Sequence, residues 1–186
     1  GRGTDAMNID QALNDLDFDS AGGMTLLDLL EGRTRATPEA TAVRSPAGHM
    51  SYGKWLAQAR VISALIRQSA GYRPNTPILV WVDTADARKV VCAQHGVLDS
   101  GCIIGPLDDR LSVAEVRRFA ADVAASAVIV SRGLLLSHKA QELHDFVLDG
   151  QPGQGDPLDL LLLSIDEDGF HFEAAVQDAA DAPKPD

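Results

Sequence analysis

The chain has 186 residues, a length that allows one good core but gives no grounds for two domains. Its formal net charge is −11 at pH 7 and its 16 Lys and Arg residues are scattered, which argues against binding to a nucleic-acid backbone. No apolar run approaches the roughly 20 residues that a membrane-spanning helix needs, so we expect neither a nucleic acid nor a membrane as a partner.

The two ends of the chain differ from its middle in composition. Residues 1–24 combine the stretch GRGTDAM, which looks like a cloning remnant, with an acidic, Gly-interrupted leader that is a candidate docking segment. Residues 177–186 are polar and contain proline, and we expect them to be disordered. A single folded domain is therefore predicted over residues 25–176.

This domain opens with a predicted helix and a predicted hairpin. Thr25 and Asp28 have the spacing of a capping box, and the leucines that follow form a helix whose end is marked by Pro38. The next stretch, TAVRSPAGHMSY, predicts a short hairpin, with strands at 41–44 and 49–51 around the turn residues 45–48.

From residue 52 onward, helical patterns alternate with short apolar runs. Helices are predicted in YGKWLAQARVISALIRQSAG, ADARKVVCAQHGVLDSG, SVAEVRRFAADVAA, which begins with a capping box from Ser112 to Glu115, and LLLSHKAQELHDFVLDG. Strands are predicted in PILVWVD, CIIGPLD, SAVIVS and PLDLLLLSID, with GFHFEAAV as a hairpin partner of the last strand, joined to it through residues 166–169.

The strands show no alternation between apolar and polar residues, which is typical of a parallel sheet covered on both faces. We predict an α/β fold, a mostly parallel sheet of about five strands with helices on both faces, plus small hairpins. Within the stretch VLDSGCIIGPLDDR, Gly101 is expected to end a helix in the left-handed conformation. Ile103 and Ile104 are expected to begin a strand that is covered on both faces.

Residue patterns for nucleotide binding and catalysis are missing from the sequence. A nucleotide-binding βαβ unit needs a Gly-rich loop from a strand into a helix, whereas GQPGQGDP at 150–157 joins a helix to a strand. No G-x-S-x-G stretch or other nucleophile motif is present. We therefore expect no catalytic residue and no cofactor-binding residue in this chain.

The histidines and acidic clusters do not predict a metal site. His138 and His144 are six residues apart and do not share a helix face, His95 lies near a helix end, and His49 and His171 lie in predicted hairpins. The clusters PLDDR and IDEDG have the composition of a helix N-terminus and a turn. We expect structural or solvent-facing roles for these residues.

Both cysteines, Cys92 and Cys102, lie in apolar stretches with nine residues between them. This spacing fits neither a C-x-x-C motif nor a disulfide framework. We expect two reduced thiols in the core and a cytoplasmic location.

Residues 25–131 resemble the N-terminal part of an adenylation domain of the nonribosomal peptide synthetase type, within the adenylate-forming ligase superfamily. TLLDLLEGRTRATPEATAV is similar to the opening helix and first strand of that family, and MSYGKW, with Tyr52 as the aromatic, is similar to its first core motif, L-T-Y-x-E-L. VLDSGCIIGPLDDR is similar to the second core motif, L-K-A-G-x-A-Y-x-P-L-D-P, and keeps Gly101, Pro106, Leu107 and Asp108. The P-L-D form is typical of peptide synthetases among these ligases. We take the five residues as structural positions of the family motifs.

The sequence departs from the family pattern at other positions of the same motifs. Lys54 replaces an acidic residue of the first motif, and the second motif is changed at Asp99, Ile104 and Asp109. The phosphate loop of the family, T-S-G-T-T-G-x-P-K-G, should follow SAVIVS, yet nothing after Ser131 resembles it. The adenine-binding motifs, the ribose-binding aspartate and the C-terminal catalytic lysine of the family are also missing. The resemblance therefore implies no catalytic, cofactor-binding or metal-binding residue here.

These observations favour a truncated, non-catalytic adenylation-type domain that acts as a structural or protein-interaction module in a nonribosomal peptide or hybrid polyketide assembly line. One alternative is the N-terminal fragment of a working amino-acid-activating, AMP-forming adenylation domain. Another is an unrelated small-molecule-binding α/β domain with a pocket near Asp83 or Asp108.

A domain that ends near residue 176 should leave apolar surface uncovered, and candidates lie on its last elements: Leu134, Leu135, Leu136, Phe146, Phe170 and Phe172. The same residues could instead close the domain's own core. We expect the partner to be a neighbouring synthetase or polyketide synthase domain, or a second copy of the chain.

Overall fold

The computed structural model describes residues 23, 25–69, 71–137, 159–166 and 169–175. The tail 177–186, residues 150–157, His138, His144 and Phe146 lie outside the described residues, as does the leader apart from Gly23. The expectations for them stay predictions.

The first helix, α1 (Leu26–Ala36), begins with the predicted capping box. The hydroxyl of Thr25 accepts a hydrogen bond from the Asp28 backbone N–H at 3.2 Å, and the Asp28 carboxylate accepts one from the Thr25 backbone N–H at 2.7 Å. The helix ends before Thr37, because a residue that precedes a proline is disfavoured in helical conformation. The predicted start and end of α1 are confirmed.

The hairpin is formed by β1 (Thr41–Ser45) and β2 (Gly48–Ser51), which pair antiparallel. Ser45 pairs directly with Gly48, so only Pro46 and Ala47 lie in the turn. The four turn residues 45–48 are those predicted, and each strand extends one residue further into the turn than expected. Gly48 has φ +137°, a conformation that glycine adopts readily.

The main sheet has five strands: β3 (Pro77–Trp81), β4 (Ile103–Pro106), β5 (Ala127–Ser131), β6 (Asp159–Asp166) and β7 (Gly169–Ala175). The spatial order is β4-β3-β5-β6-β7. The first four strands in this order are parallel, and β7 returns antiparallel to β6. The predicted α/β class and mostly parallel sheet of about five strands are confirmed.

Helices cover both faces of the sheet. Neighbouring residues of β3 point to opposite sides, so this strand contributes side chains to both faces. On one face, Ile78 and Val80 pack with residues of α2 (Tyr52–Gln68) and α3 (Ala87–Asp99). On the other face, Leu79 and Trp81 pack with α4 (Val113–Asp122) and with Leu134 of α5 (Arg132–Ser137). We call these the first and second core. None of the helices in the described part of the chain is long and apolar enough to cross a membrane.

Strand β4 was expected to be covered on both faces of the sheet, and it is not. It lies at the edge of the sheet, and the side chain of Ile103 is 53% exposed. Ile104 is partly buried against the first core. The apolar pair Ile103-Ile104 was therefore wrongly predicted to be covered on both faces, because sequence pattern does not reveal which strand is outermost.

Candidate functional site

Ligands of parallel α/β sheets commonly bind where the strands end at their carboxyl edge, so the loops after β3, β4 and β5 form the candidate site. The loop after β3 is fixed to β5: the backbone N–H of Asp83 donates to the hydroxyl of buried Ser131 at 3.1 Å. The Asp83 carboxylate accepts from the Ala85 backbone N–H at 2.9 Å. The Lys89 ammonium lies 3.9 Å from the other Asp83 oxygen.

A second contact joins the loops after β3 and β4. One carboxylate oxygen of Asp109 accepts hydrogen bonds from the Thr84 backbone N–H at 2.9 Å and from the Thr84 hydroxyl at 2.5 Å. Asp109 is the position at which the family motif has its second proline. The Asp109 side chain therefore links two loops at the candidate site.

Asp108, a predicted motif position, is held within its own turn. Its carboxylate accepts from the Arg110 backbone N–H, Nε and Nη2 at 2.9, 2.9 and 2.6 Å. These hydrogen bonds, with the guanidinium side chain as the main cause, hold the pKa of Asp108 well below its ordinary value. Asp108 therefore stays ionised and its oxygens face the arginine.

Asp86, for which the sequence pattern predicted no role, organises the beginning of α3. Its carboxylate caps the helix by accepting a hydrogen bond from the Arg88 backbone N–H. It also accepts hydrogen bonds from Nε and Nη2 of Arg88 at 2.8 and 2.7 Å and from the Ser45 hydroxyl at 3.2 Å. Burial by itself would raise the pKa of Asp86, but the hydrogen bonds from Arg88 and Ser45 outweigh burial and lower it. An Asp directly before a helical pattern was the available signal.

The other motif positions lie in separate places. Tyr52 is the first residue of α2, where its backbone carbonyl accepts from the Thr34 hydroxyl at 3.2 Å and its ring stacks near Trp55, with centroids 6.4 Å apart. Gly101 lies just after α3, at the opposite edge of the sheet, with φ +80°. Its N–H donates to the Leu98 carbonyl at 2.9 Å, so the predicted helix end is confirmed.

Pro106 ends β4, and Leu107 follows it. The Leu107 N–H donates to the Val80 carbonyl at 3.0 Å, and the Leu107 side chain packs against the second core. Of the five motif positions, only Pro106, Leu107 and Asp108 lie at the carboxyl edge. The structure therefore does not bring the five residues together into one site.

His95 is on α3, and its ring meets the ring of Trp55 on α2 edge-on, with centroids 4.6 Å apart and planes at 80°. Its Nδ1 and the Nε1 of Trp55 both lie against the Val91 carbonyl, at 3.2 and 3.3 Å. Burial lowers the pKa of His95, and the hydrogen bond to Val91 opposes this only in part. The imidazole therefore has a packing role between two helices. His49 is exposed on β2.

Both cysteines are buried and unpaired in the described structure, as expected. Burial raises the pKa of Cys92 to about 12, so the thiol is protonated at neutral pH. Its Sγ donates to the Met50 sulfur at 3.6 Å. In the part of the chain that the structure describes, no three His, Cys, Asp or Glu residues are grouped to hold a metal ion.

The candidate site is therefore a network of internal contacts. Each of the four aspartates discussed at this edge already accepts hydrogen bonds: Asp83, Asp108 and Asp109 from loop residues, and Asp86 from Arg88 on α3 and Ser45 on β1. Such a network fixes the loops relative to the sheet.

Several solved structures share this fold. The nonribosomal peptide synthetase FmoA3 matches 61% of this chain with a TM-score of 0.55 and 23% identity, and the match covers 12% of that chain. A benzoate CoA ligase from Burkholderia xenovorans LB400 matches 77% with a TM-score of 0.57 and 21% identity, covering 26% of its length. The N-terminal domain of FACL13 from Mycobacterium tuberculosis matches 74% with a TM-score of 0.54 and 18% identity, covering 32% of its length.

At these identities the likeness concerns the fold, and this chain spans less than a third of each of the three matched chains. No curated protein matches the sequence. The family described as AMP-binding enzyme matches residues 30–185, which is most of the chain. The chain therefore belongs to the AMP-binding enzyme family.

Proposed function

We propose that this domain is a non-catalytic adenylation-type module with a structural or protein-interaction role in a nonribosomal peptide or hybrid polyketide assembly line. One observation carries the proposal. The opening βα units of the family fold are packed around two cores, whereas the sequence after Ser131 has no Ser/Thr/Gly-rich phosphate loop. Without such a loop, backbone N–H groups are not presented to the phosphates of ATP.

Two further features support this reading. The P-L-D form of residues 106–108 favours the peptide synthetase type within the family. Two carboxyl-edge aspartates already accept hydrogen bonds, Asp109 from Thr84 of the neighbouring loop and Asp108 from Arg110 of its own turn, which suits a fixed surface more than a reacting one. The family match argues against the alternative of an unrelated small-molecule-binding domain.

Exposed apolar side chains supply candidate contact area for a partner. Among the described residues these are Leu26 and Leu29 on α1, Val61 on α2, Ile103 on β4, Phe119 on α4 and Val123 directly after α4. Of the terminal residues expected to be uncovered, Leu134 instead packs on the second core, and the side chains of the others lie outside the described part. We propose that a flanking assembly-line domain or a second copy binds this module, in the cytoplasm, where free thiols such as Cys92 stay reduced.

The catalytic part of the proposal is tested by titrating the chain with ATP in a calorimeter, and by assaying amino-acid-dependent pyrophosphate exchange. We expect no saturable binding at micromolar ATP and no exchange, with a complete adenylation domain as the positive control. Saturable micromolar binding would overturn the proposal. If exchange appeared only after the rest of an adenylation fold was added as a separate polypeptide, the chain would be part of a working enzyme.

The interaction part is tested with purified flanking domains of the same assembly line and with light scattering of the chain alone. We expect either a complex with one flanking domain or a dimer, and weaker association for Leu26→Asp/Leu29→Asp or for Phe119→Asp/Val123→Asp. A strict monomer at high concentration that binds none of the flanking domains would refute an interaction role.

A further inference from the structure

The outer edge of β4 has few groups that could pair with another strand. In a parallel ladder, the N–H and C=O of every second residue point to one neighbour, and those of the residues between point away. Ile103 and Leu107 direct their N–H groups towards β3, to the carbonyl of Thr76 just before that strand and to the carbonyl of Val80 within it. Ile104 and Pro106 therefore direct their backbone groups away from β3.

Of these two outward residues, only Ile104 carries an N–H. The ring of Pro106 occupies the place of the second donor. Just before the strand, the N–H of Cys102 turns back to the Val97 carbonyl at 3.2 Å. Among the described residues, β4 pairs with β3 alone, and Pro106 is exposed.

Exposed sheet edges tend to pair with the edges of other copies, and proline, charge or short strand length commonly prevents this. If β4 of a second copy paired antiparallel with this strand, Ile104 of each copy would lie opposite residue 106 of the other. Backbone hydrogen bonds between the two copies would then form at both ends of the pair. Pro106 removes half of the donors for that arrangement.

We infer that Pro106 is an edge-blocking residue, which keeps β4 from pairing with the β4 strand of a second copy. The apolar surface of Ile103, 53% exposed beside this edge, makes such a block necessary. Any partner of the domain is thus directed to side-chain surfaces, because strand addition at β4 lacks half of its donors.

The test compares self-association of the wild-type chain with that of Pro106→Val by analytical ultracentrifugation. Val restores the N–H and favours strand conformation, so we expect the association constant to rise about tenfold or more. Adding Ile103→Lys to Pro106→Val should return association to the wild-type level, because charge on an edge strand opposes pairing. Pro74→Val, at an exposed loop proline, is the matched control and should leave association unchanged.

A second measurement uses the wild-type chain, so a folding defect in the variant does not decide the matter. Amide hydrogen exchange should be faster at Ile104 than at Ile103 and Leu107, whose N–H groups are bonded to β3. Equal protection at Ile104 would show that the edge is already covered. That result, or unchanged association of folded Pro106→Val, would overturn the inference.

Discussion

Gly101 shows how one residue determines the path from α3 into β4. Its φ of +80° is reached easily only by glycine, while a Cβ built there would meet no atom beyond the neighbouring residues within 4 Å. Substitution should therefore cost backbone strain without a steric clash. Its carbonyl also accepts the Asn75 N–H at 2.8 Å, which ties the turn before β3 to the start of β4.

We predict that Gly101→Ala lowers the free energy of unfolding by about 1–2 kcal/mol, measured by urea denaturation. Gly101→Asn should cost less, because asparagine enters the left-handed region more readily than alanine. Equal stability of wild type and Gly101→Ala would contradict the left-handed helix end.

Gly96 is limited by space rather than by backbone conformation. A Cβ on this residue would lie 2.4 Å from the Cβ and 2.5 Å from the Cγ2 of Ile62, where α3 crosses α2. Gly96→Ala should therefore destabilise the domain by about 1–3 kcal/mol, because the two helices must separate. Gly32→Ala is the matched control, since nothing lies within 4 Å of its added Cβ on exposed α1.

The control variant should gain about 0.5–1 kcal/mol from the higher helix propensity of alanine. Thermal unfolding of the two variants side by side separates crowding from propensity. A stabilised Gly96→Ala would show that the helices can separate at no cost.

We predict that the stability of the domain depends on pH through His95. Burial lowers its pKa in the folded state from the ordinary value of 6.5, so the unfolded chain binds the proton more tightly. The stabilisation that neutral His95 gives the folded state is therefore fully present above pH 6.5. It is lost as the pH falls from 6.5 towards the pKa of His95 in the folded state. Unfolding free energies between pH 8 and pH 5 should fall less steeply in His95→Gln than in wild type. Parallel curves would rule out a role of His95.

At the scale of elements, the hairpin is attached to α3 through Asp86. This aspartate caps the helix and receives the Ser45 hydroxyl of β1, and its ion pair with Arg88 is largely buried. The Cβ position of Gly48 lies 2.9 Å from an Arg88 guanidinium nitrogen, so the arginine packs directly on the hairpin.

Asp86→Ala should lower the free energy of unfolding by about 2–4 kcal/mol, because a helix cap and charge-assisted hydrogen bonds are lost together. Asp122→Ala removes an exposed ion pair with Arg118 and should change stability by less than about 0.5 kcal/mol. Denaturant titrations of both variants check this. A cost for Asp86→Ala no greater than that of Asp122→Ala would show that the attachment is unimportant.

Local signals were readable in the sequence, and pairings between distant residues were not. The capping boxes at Thr25 and Ser112 and the end of α3 at Gly101 depend on residues within a few positions, and all three were predicted. The contacts Thr84 with Asp109 and Ser45 with Asp86 join residues that are 25 and 41 positions apart. Nothing in a linear pattern specifies which distant carboxylate a hydroxyl meets, so the network at the carboxyl edge was missed.

At the scale of the whole molecule, two cores share one sheet. Residues of β3 and β5 contribute to both cores, so opening one core disturbs the strands that support the other. The domain should therefore open cooperatively, as small single domains usually do.

The two thiols report this opening. Cys92 and Cys102 are both buried in the first core, and the pKa of Cys92 is raised to about 12 by burial. We expect maleimide to label neither thiol of the native chain within minutes at pH 7, and both within seconds in denaturant. Labelling rates that follow the unfolding equilibrium would confirm a cooperative domain. Rapid labelling of either thiol in the native chain would show that the first core opens alone.

The position of β3 between β4 and β5 has a consequence for synthesis on the ribosome. The chain emerges with β3 and β4 ready to pair, but the other side of β3 stays open until Ala127–Ser131 has been made. During that interval the strand Pro77–Trp81, nearly all of which is buried in the finished fold, presents an unpaired apolar edge. Val128 and Val130, which complete the second core, lie on β5 and are therefore made only at the end of this interval. The nascent polypeptide thus passes through a period in which it is prone to aggregation, and the order of its strands determines when that period ends.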